Sequence, residues 1–165
     1  MTFTFIWSIK QVMIYILSLI VIVLDQLTKG LMLMYIPQGT SVTVYPFFNL
    51  VSVRNRGISF SMFSGNSTLM PWILTAVALA FCIGIVVWLG REKDRRVRVG
   101  LALILGGAIG NIIDRVRLGA VVDFLDFYIG ESHWPAFNIA DSAICIGVVL
   151  ILILTLWGNK KCEKS

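Results

Sequence analysis

Apolar residues occur in long blocks along this chain, and most polar residues are concentrated between those blocks. Four of the blocks are long enough for the roughly 20-residue helix that crosses a bilayer. They cover about residues 11–35, 70–89, 99–116 and 139–157. This pattern predicts an all-α membrane protein with four transmembrane helices.

The composition agrees with this class. Hydrophobic residues make up 58% of the 165 residues and charged residues only 14%, a balance more apolar than that of soluble domains. No internal repeat or long linker divides the chain, so we expect a single membrane domain over residues 1–165. The first apolar block lacks an A-x-A-like cleavage site, and we expect it to be retained as a membrane helix rather than removed as a signal peptide.

The net charge of +5 is unevenly distributed. Basic residues fill the connection between the second and third blocks and recur in the C-terminal tail: Arg91, Lys93, Arg95, Arg96, Arg98, Lys160, Lys161 and Lys164. This distribution marks the cytoplasmic side of a membrane protein and not a nucleic-acid-binding surface. We therefore expect no nucleic-acid partner, cytoplasmic N- and C-termini, and two connections on the outer side.

The two outer connections have different patterns. In residues 36–69, the segments 40–44 and 47–53 are rich in β-branched and aromatic residues and predict a small extracytoplasmic β-sheet. In residues 118–137, an apolar stretch carries two aspartates and several aromatics, including Trp134. We expect this second connection to be an outer loop whose aromatics lie among the lipid headgroups and cover a site as a lid.

Carboxylates gather near one membrane surface. With a rise of 1.5 Å per residue, Asp25 and Asp114 lie about 20 to 23 Å above the cytoplasmic boundary of a hydrocarbon layer about 30 Å thick. Asp141 lies roughly 5 Å below the outer surface by the same rise, and Asp123 lies in the connection just before it. A carboxylate at membrane depth usually has a function, so this cluster predicts a site at the outer rim.

The third span has two faces. Its small and polar residues share one arc of about 140°: Gly106, Gly107, Gly110, Asn111 and Asp114. The spacing of Gly106 and Gly110 predicts close packing against neighbouring helices. The opposite side carries bulky aliphatic residues that we expect to face lipid: Leu105, Ile109, Ile112, Ile113 and Val116.

Asp25 and Asp114 each have a basic residue nearby in the sequence that can balance their charge. Asp25 and Lys29 are one helical turn apart, and we expect an internal ion pair that supports the fold or a pocket. Asp114 is followed by Arg115, and a carboxylate beside a guanidinium stays ionised and transfers protons poorly. These residues are therefore better candidates for support than for proton transfer.

Two aspartates remain without such neighbours. Asp123 and Asp141 have no cation within a helical turn. By contrast, Asp126 is expected to be a solvated loop charge. His133 is the sole histidine and has no partner at metal-ligand spacing, so we expect neither a metal nor a cofactor.

A pair of carboxylates has a definite chemistry. When two approach within a few ångströms they share a proton, so that one acts as a base towards water and the other as an acid. That arrangement cleaves an amide without a metal or covalent intermediate. The chain contains no Gly-x-Ser-x-Gly, His-Glu-x-x-His or phosphate-binding Gly-x-x-x-x-Gly-Lys motif for other hydrolytic chemistry.

Two other classes of protein also keep polar groups inside a membrane. A small proton-coupled transporter should place its carboxylates near the midplane and often has an inverted repeat, which is not visible in this sequence. A non-enzymatic assembly factor could use the glycine-rich face for partner helices. Such a factor would tolerate the neutral amides of Asp123 and Asp141.

Five motifs in register with the predicted spans resemble the lipoprotein signal peptidases, also called signal peptidase II. They are Asp25-Gln26-x-x-Lys29, Arg54-Asn55-Arg56-Gly57-Ile58-Ser59-Phe60-Ser61, Gly107-x-x-Gly110-Asn111-x-x-Asp114-Arg115, Val121-Val122-Asp123-Phe124 and Phe137-Asn138-x-Ala140-Asp141-Ser142. The resemblance covers nearly the whole chain.

The resemblance implies a bacterial inner-membrane aspartyl endopeptidase. Such enzymes remove signal peptides from prolipoproteins, cutting before a cysteine that carries a diacylglyceryl group, on the periplasmic side. They work among membrane lipids and are inhibited by globomycin-type cyclic peptides.

The resemblance also implies roles for individual residues. Asp123 and Asp141 would form the catalytic dyad. The other matched residues would orient the dyad, hold the substrate backbone or brace the pocket: Asp25, Lys29, Asn55, Gly57, Asn111, Asp114, Arg115, Asn138 and Ala140.

Overall fold

The structure, a computed structural model, describes residues 9–57 and 69–162. It contains four long helices and four strands. In chain order they are α1 (Ile9–Tyr35), β1 (Ser41–Tyr45), β2 (Phe48–Asn55), α2 (Met70–Arg91), α3 (Arg95–Leu118), β3 (Val121–Ile129), β4 (Ser132–His133) and α4 (Ile139–Cys162). All four helices are long and apolar enough to cross a membrane, as the sequence predicted.

Helix α3 lies at the centre of the bundle and packs against α1, α2 and α4. Cys82 and Leu89 of α2 pack with Leu105 and Ile112 of α3 in the main hydrophobic core. The expectation that this side of α3 faces lipid is therefore wrong for Leu105 and Ile112. A helix with three neighbours buries more than one face, and the pattern of α3 alone does not reveal its third partner.

The glycines of α3 allow two helices to approach closely, as predicted. A Cβ on Gly106 would lie 2.7 Å from the carbonyl oxygen of Ser18 in α1. A Cβ on Gly107 would collide with the carbonyl oxygen of Ala140 in α4. Helices α1 and α4 therefore flank the same polar side of α3.

The strands form one antiparallel sheet in the order β1-β2-β3-β4. The two predicted strands correspond to β1 and β2. The second outer connection is not only a loop, because it supplies β3, which pairs with β2 through Val53 opposite Asp123. Residues 121–124 are all buried, so β3 lacks the alternation that identifies a strand in sequence.

The end of α3 and the start of α4 connect the sheet to the helix bundle. Helix α3 ends at Gly119, whose φ of +67° lies in the left-handed region and whose N–H donates to the carbonyl of Arg115. The chain reverses there and enters β3 two residues later. Helix α4 begins after Asn138, so the start of β3 and the start of α4 meet beside the end of α3.

Candidate active site

Asp141 lies in the first turn of α4 and is fixed by a reciprocal pair of hydrogen bonds. The Asp141 N–H donates to Oδ1 of Asn138 at 2.9 Å, and the Asn138 N–H donates to Oδ2 of Asp141 at 3.3 Å. This is a capping box, which satisfies two N–H groups at the start of a helix. The same interaction that begins α4 therefore fixes the position of a carboxylate.

Asp123 lies on β3 and accepts two amide hydrogen bonds. Asn138 Nδ2 donates to its Oδ1 at 2.8 Å, and Asn55 Nδ2 donates to its Oδ2 at 3.0 Å. Asn55 is the last residue of β2 and is oriented by the Gly57 N–H, which donates to the Asn55 Oδ1. Only 2% of Asp123 is exposed.

Asn138 contacts both aspartates. Its side chain donates to Asp123 and its backbone N–H donates to Asp141. Two carboxylates that are 18 residues apart in the numbering, 141 minus 123, are thus held by one residue. The sequence prediction that these two groups converge is supported by this shared partner.

The surroundings of Asp123 favour its protonated form. Burial is the largest effect and, with the nearby negative charge of Asp141, outweighs the hydrogen bonds from Asn55 and Asn138. The pKa of Asp123 is consequently raised from 3.8 to about 6. Carboxylates that exchange protons with a substrate need pKa values shifted in this direction.

Asp25, Lys29 and Asp114 form a buried ionic cluster beneath the two aspartates. Lys29 Nζ lies 2.8 Å from Asp25 Oδ2 and 2.9 Å from Asp114 Oδ2. The predicted pair of Asp25 and Lys29 is confirmed. Asp114 makes its close ion pair with Lys29, and Arg115, whose side chain points about 100° away on the helix, adds an electrostatic interaction.

Asn111 connects this cluster to Asp141. Its Oδ1 accepts from Lys29 Nζ at 3.0 Å, and its Nδ2 donates to Asp141 Oδ1 at 2.8 Å. Arg115 is half-buried one turn further along α3 and interacts electrostatically with the carboxylates of Asp123 and Asp141. Asn111 and Arg115 therefore lie beside the two aspartates.

Ala140 and Gly57 contribute through their backbones. The Ala140 N–H donates to Asp25 Oδ1 at 2.9 Å, and Ala140 is fully buried. Gly57 has a φ of +85°, and a Cβ there would collide with Leu74 of α2. The positive φ favours glycine at position 57, whereas the flexible end of the Leu74 side chain could move away from a Cβ. The part of its motif at residues 58–61 lies outside the described residues.

A cavity of about 370 Å³ opens beside Asp123. Its lining comes from the end of β2 and from the segment before α4: Val53, Arg54, Asn55, Arg56, Asp123, Pro135 and Ala136. A second cavity of about 710 Å³ is walled mainly by aromatic side chains of β3, β4 and the loop after them. The first cavity is the space in which a bond could be presented to Asp123.

One residue of the sheet differs from the sequence interpretation. Asp126 is not a solvated loop charge, because only 7% of it is exposed. Asn49 Nδ2 donates to its Oδ2 at 2.9 Å, and His133 Nδ1 lies 2.9 Å from its Oδ1. Within residues 9–57 and 69–162, no group of three His, Cys, Asp or Glu side chains is arranged to hold a metal ion.

Gln26 belongs to the first of the five motifs, but the sequence predicted no role for it. Its Nε2 donates to Asp114 Oδ1 at 2.9 Å and to the Gly110 carbonyl at 3.2 Å. Gln26 thus ties α1 to α3 beside the ionic cluster. Gly110 and Asp114 both lie on α3, far from Gln26 in the sequence, so no pattern within α1 indicates them.

Two solved structures of a bacterial membrane enzyme share this fold. One matches with a TM-score of 0.79 at 33% identity and covers 90% of each chain. The other matches with a TM-score of 0.77 at 34% identity, over 87% of this chain and 92% of that one. Four membrane-length helices and a pair of converging carboxylates define the class as a multi-pass membrane peptidase of the aspartic type.

The particular family follows from the sequence. The family model for Signal peptidase (SPase) II matches residues 17–157, and the chain belongs to that family. A lipoprotein signal peptidase of Shewanella piezotolerans is 44% identical over 161 residues, covering 96% of this chain and 95% of the relative. That of Shewanella amazonensis is also 44% identical and covers 96% of both chains.

Membership of this family establishes the activity. The protein is a peptidase that removes signal peptides from prolipoproteins. The resemblance stated from the five motifs is confirmed, and the transporter and the non-enzymatic assembly factor are excluded.

Proposed function

We propose that Asp123 and Asp141 are the catalytic dyad and that they hydrolyse the peptide bond before a diacylglyceryl-modified cysteine. The observation that carries this proposal is the shared hydrogen bonding of both carboxylates to Asn138. A dyad needs two carboxylates in a fixed mutual geometry and one proton between them. The pKa of Asp123, raised to about 6 by burial, suits the member that carries the proton.

The two aspartates have different roles. Asp141 is partly exposed, so a water molecule can approach it and lose a proton to it as the oxygen attacks the scissile carbonyl. Asp123 donates its proton to the carbonyl oxygen. When the tetrahedral intermediate collapses, the carbon–nitrogen bond breaks, the proton held by Asp141 passes to the leaving amine, and a hydroxyl of the intermediate returns a proton to Asp123. Asn111 and Asn138 keep both carboxylates oriented, and Arg115 binds the substrate backbone.

The substrate lies in the cavity beside Asp123. Asn55 is at its wall and already holds the Asp123 carboxylate, while Gly57 lets the chain turn tightly behind it. Asp25, Lys29, Asp114 and Ala140 brace this site from below. Globomycin-type inhibitors occupy the same cavity and exclude the substrate.

We infer that this site faces the periplasmic side of the bacterial inner membrane. Basic residues Arg91, Lys93 and Arg95 lie at the end of the bundle away from the sheet, which is the cytoplasmic end by the positive-inside rule. The exposed aromatics Tyr45 and Trp134 of the sheet region lie among the headgroups. A lipidated cysteine is anchored at that same depth. The membrane lipids therefore hold the peptide bond before this cysteine at the level of the dyad, and the whole chain acts as one domain.

The test compares two precursors that differ only in lipidation. Purified protein is incubated with a diacylglyceryl-modified precursor and with its unlipidated twin, with and without a chelator, and cleavage is followed by mass spectrometry. We expect the modified precursor alone to be cut, immediately before the cysteine, and the chelator to have no effect. The Asp141→Asn variant should insert normally and leave the modified precursor uncut.

Two results would contradict the proposal. Normal cutting by Asp141→Asn would remove Asp141 from the dyad. Equal cutting of the two precursors would show that the lipid does not position the bond.

A further inference from the structure

Each aspartate of the proposed dyad follows a residue whose backbone N–H is bound by a buried carboxylate. The N–H of Val122, just before Asp123, donates to Asp114 Oδ2 at 3.1 Å. The N–H of Ala140, just before Asp141, donates to Asp25 Oδ1 at 2.9 Å. The two chain segments that carry the dyad are thus held from below in the same way.

Both of these carboxylates bind one ammonium group. Lys29 Nζ lies 2.8 Å from Asp25 and 2.9 Å from Asp114, and the Lys29 side chain is only 3% exposed. Its third contact is Asn111 Oδ1 at 3.0 Å. An ammonium has three N–H donors, so each donor has a partner.

The third contact also leads to the dyad. When Asn111 Oδ1 accepts from Lys29, its Nδ2 points the other way and donates to Asp141 Oδ1 at 2.8 Å. Asn138 Nδ2 donates to the same oxygen at 3.3 Å, so the ammonium and Asn138 together determine which end of the Asn111 amide faces Asp141. Reversing that amide would place an oxygen against a carboxylate.

We propose that Lys29 is a positioning residue that sets the separation between Asp123 and Asp141, acting through Asp114, Asp25 and Asn111. This inference rests on the proposed catalytic dyad and adds to it a role for α1, which contributes no reacting group. Lys29 touches neither reacting carboxylate. It fixes the backbone before each of them.

The physical reason is the balance of buried charge. Asp25 and Asp114 would repel each other across the interface of α1 and α3 without a cation between them, and an unpaired buried charge is strongly destabilising. Relaxing that repulsion would move β3 and the start of α4 apart. A misplacement of about 1 Å is sufficient to lower a catalytic rate about 100-fold.

Gln26 supplies a second and weaker bridge. Its Nε2 lies 2.9 Å from Asp114 Oδ1 and 3.3 Å from Asp25 Oδ2. It carries no charge and therefore cannot offset the repulsion between the two carboxylates. The bridge does keep them within reach of each other, so loss of Lys29 should displace the dyad rather than dismantle the bundle.

The test is Lys29→Met with Ser18→Ala as the matched control. Ser18 is also buried on α1, and its Oγ donates to the Ala102 carbonyl of α3 at 2.8 Å, away from the ionic cluster. In Lys29→Met we expect kcat on the lipidated precursor to fall about 100-fold with KM within about twofold of the wild type. Ser18→Ala should keep its kcat even where it lowers the melting temperature.

The pH profile separates positioning from general loss of stability. Burial raises the pKa of Asp123, and the positive charge of Lys29 opposes that rise. The fall in kcat at high pH, where Asp123 loses its proton, should therefore move to higher pH when Lys29 is removed. Ser18→Ala should leave this fall in place.

The possible outcomes test the role of Lys29 separately from the assignment of Asp123 and Asp141 as the dyad. If Asp123→Asn is inactive while Lys29→Met keeps its kcat and its pH profile, Lys29 does not position the dyad. If Asp123→Asn is itself active, the dyad assignment fails first. Should Lys29→Met not fold, Asp114→Asn removes one arm only, and an unchanged kcat in that variant would overturn the inference.

Discussion

Asp123 and Asp126 lie three residues apart on β3 and have opposite electrostatic character. Both are buried, at 2% and 7% exposure, and each accepts a hydrogen bond from an asparagine of β2. Because side chains alternate along a strand, they point to opposite faces of the sheet. Asp123 faces another acid, Asp141, whereas Asp126 faces His133.

Two causes separate the pKa values of these groups: the Asp123 carboxylate is more deeply buried than that of Asp126, and its second neighbour is an acid rather than a histidine. Burial raises the pKa of both groups. At Asp123 the charge of Asp141 adds to that rise, and the pKa reaches about 6. At Asp126 the hydrogen bonds from Asn49 and His133 outweigh burial, and the pKa falls below its ordinary value. Burial alone therefore does not prepare a carboxylate for proton transfer.

The largest expected effect is on activity. Asp123→Asn should lower cleavage of the lipidated precursor by at least about 1000-fold, because an amide cannot deliver a proton. Asp126→Asn, the matched change on the other face, should leave the rate within about threefold of the wild type. Steady-state kinetics on both purified variants measures this, and comparable losses in the two would abolish the distinction.

The second effect is on stability, and the two variants should differ in sign. The pKa of Asp123 is raised in the folded protein, so its contribution to stability is full below its ordinary value of 3.8 and is lost as the pH rises through about 6. A rise of the pKa from 3.8 to about 6 corresponds to a loss of ~3 kcal/mol. Relative to the wild type, Asp123→Asn should therefore gain stability between pH 4 and pH 8.

Asp126 should behave in the opposite way. Its pKa is lowered, so its contribution is present at neutral pH and is lost as the pH falls through the folded value. Asp126→Asn should be less stable than the wild type at pH 7, and the difference should shrink in acid. Melting temperatures in detergent across this pH range test both signs, and parallel curves for the two variants would be a contradiction.

The smallest effect concerns the asparagines. Serine also caps a helix well but cannot reach Asp123, so Asn138→Ser keeps the start of α4 and removes the bond to that carboxylate, together with longer ones to the Val122 carbonyl and Asn111 Oδ1. A bond to a carboxylate contributes about 2 kcal/mol, and we expect kcat to fall roughly 30-fold with a lower melting temperature. Asn49→Ser, which removes the corresponding bond to Asp126, should leave kcat nearly unchanged.

The helices and the convergence of acids could be predicted because each leaves a local signal. Membrane spans are recognised by length, and the depth of Asp25, Asp114 and Asp141 follows from the rise of a helix. The close packing of Gly106 and Gly110 against neighbouring helices also follows from their spacing along one helix. These features need no knowledge of which helices are neighbours.

The remaining features depend on contacts that are distant in sequence. Asp114 pairs with Lys29 of α1 and not with adjacent Arg115, and no pattern within α3 indicates that choice. Strand β3 is buried on both faces at its start, so its apolar run has no alternation. Asp126 appeared solvated because its partners, Asn49 and His133, come from two other strands.

The capping of α4 by Asn138 has a consequence for the timing of enzyme activity. One residue both begins the last helix and holds the two proposed reacting acids. A newly inserted chain whose final helix has not yet docked therefore lacks a competent catalytic centre. Peptidase activity therefore appears only when folding is complete, and a partly folded chain cannot cleave other proteins in the membrane.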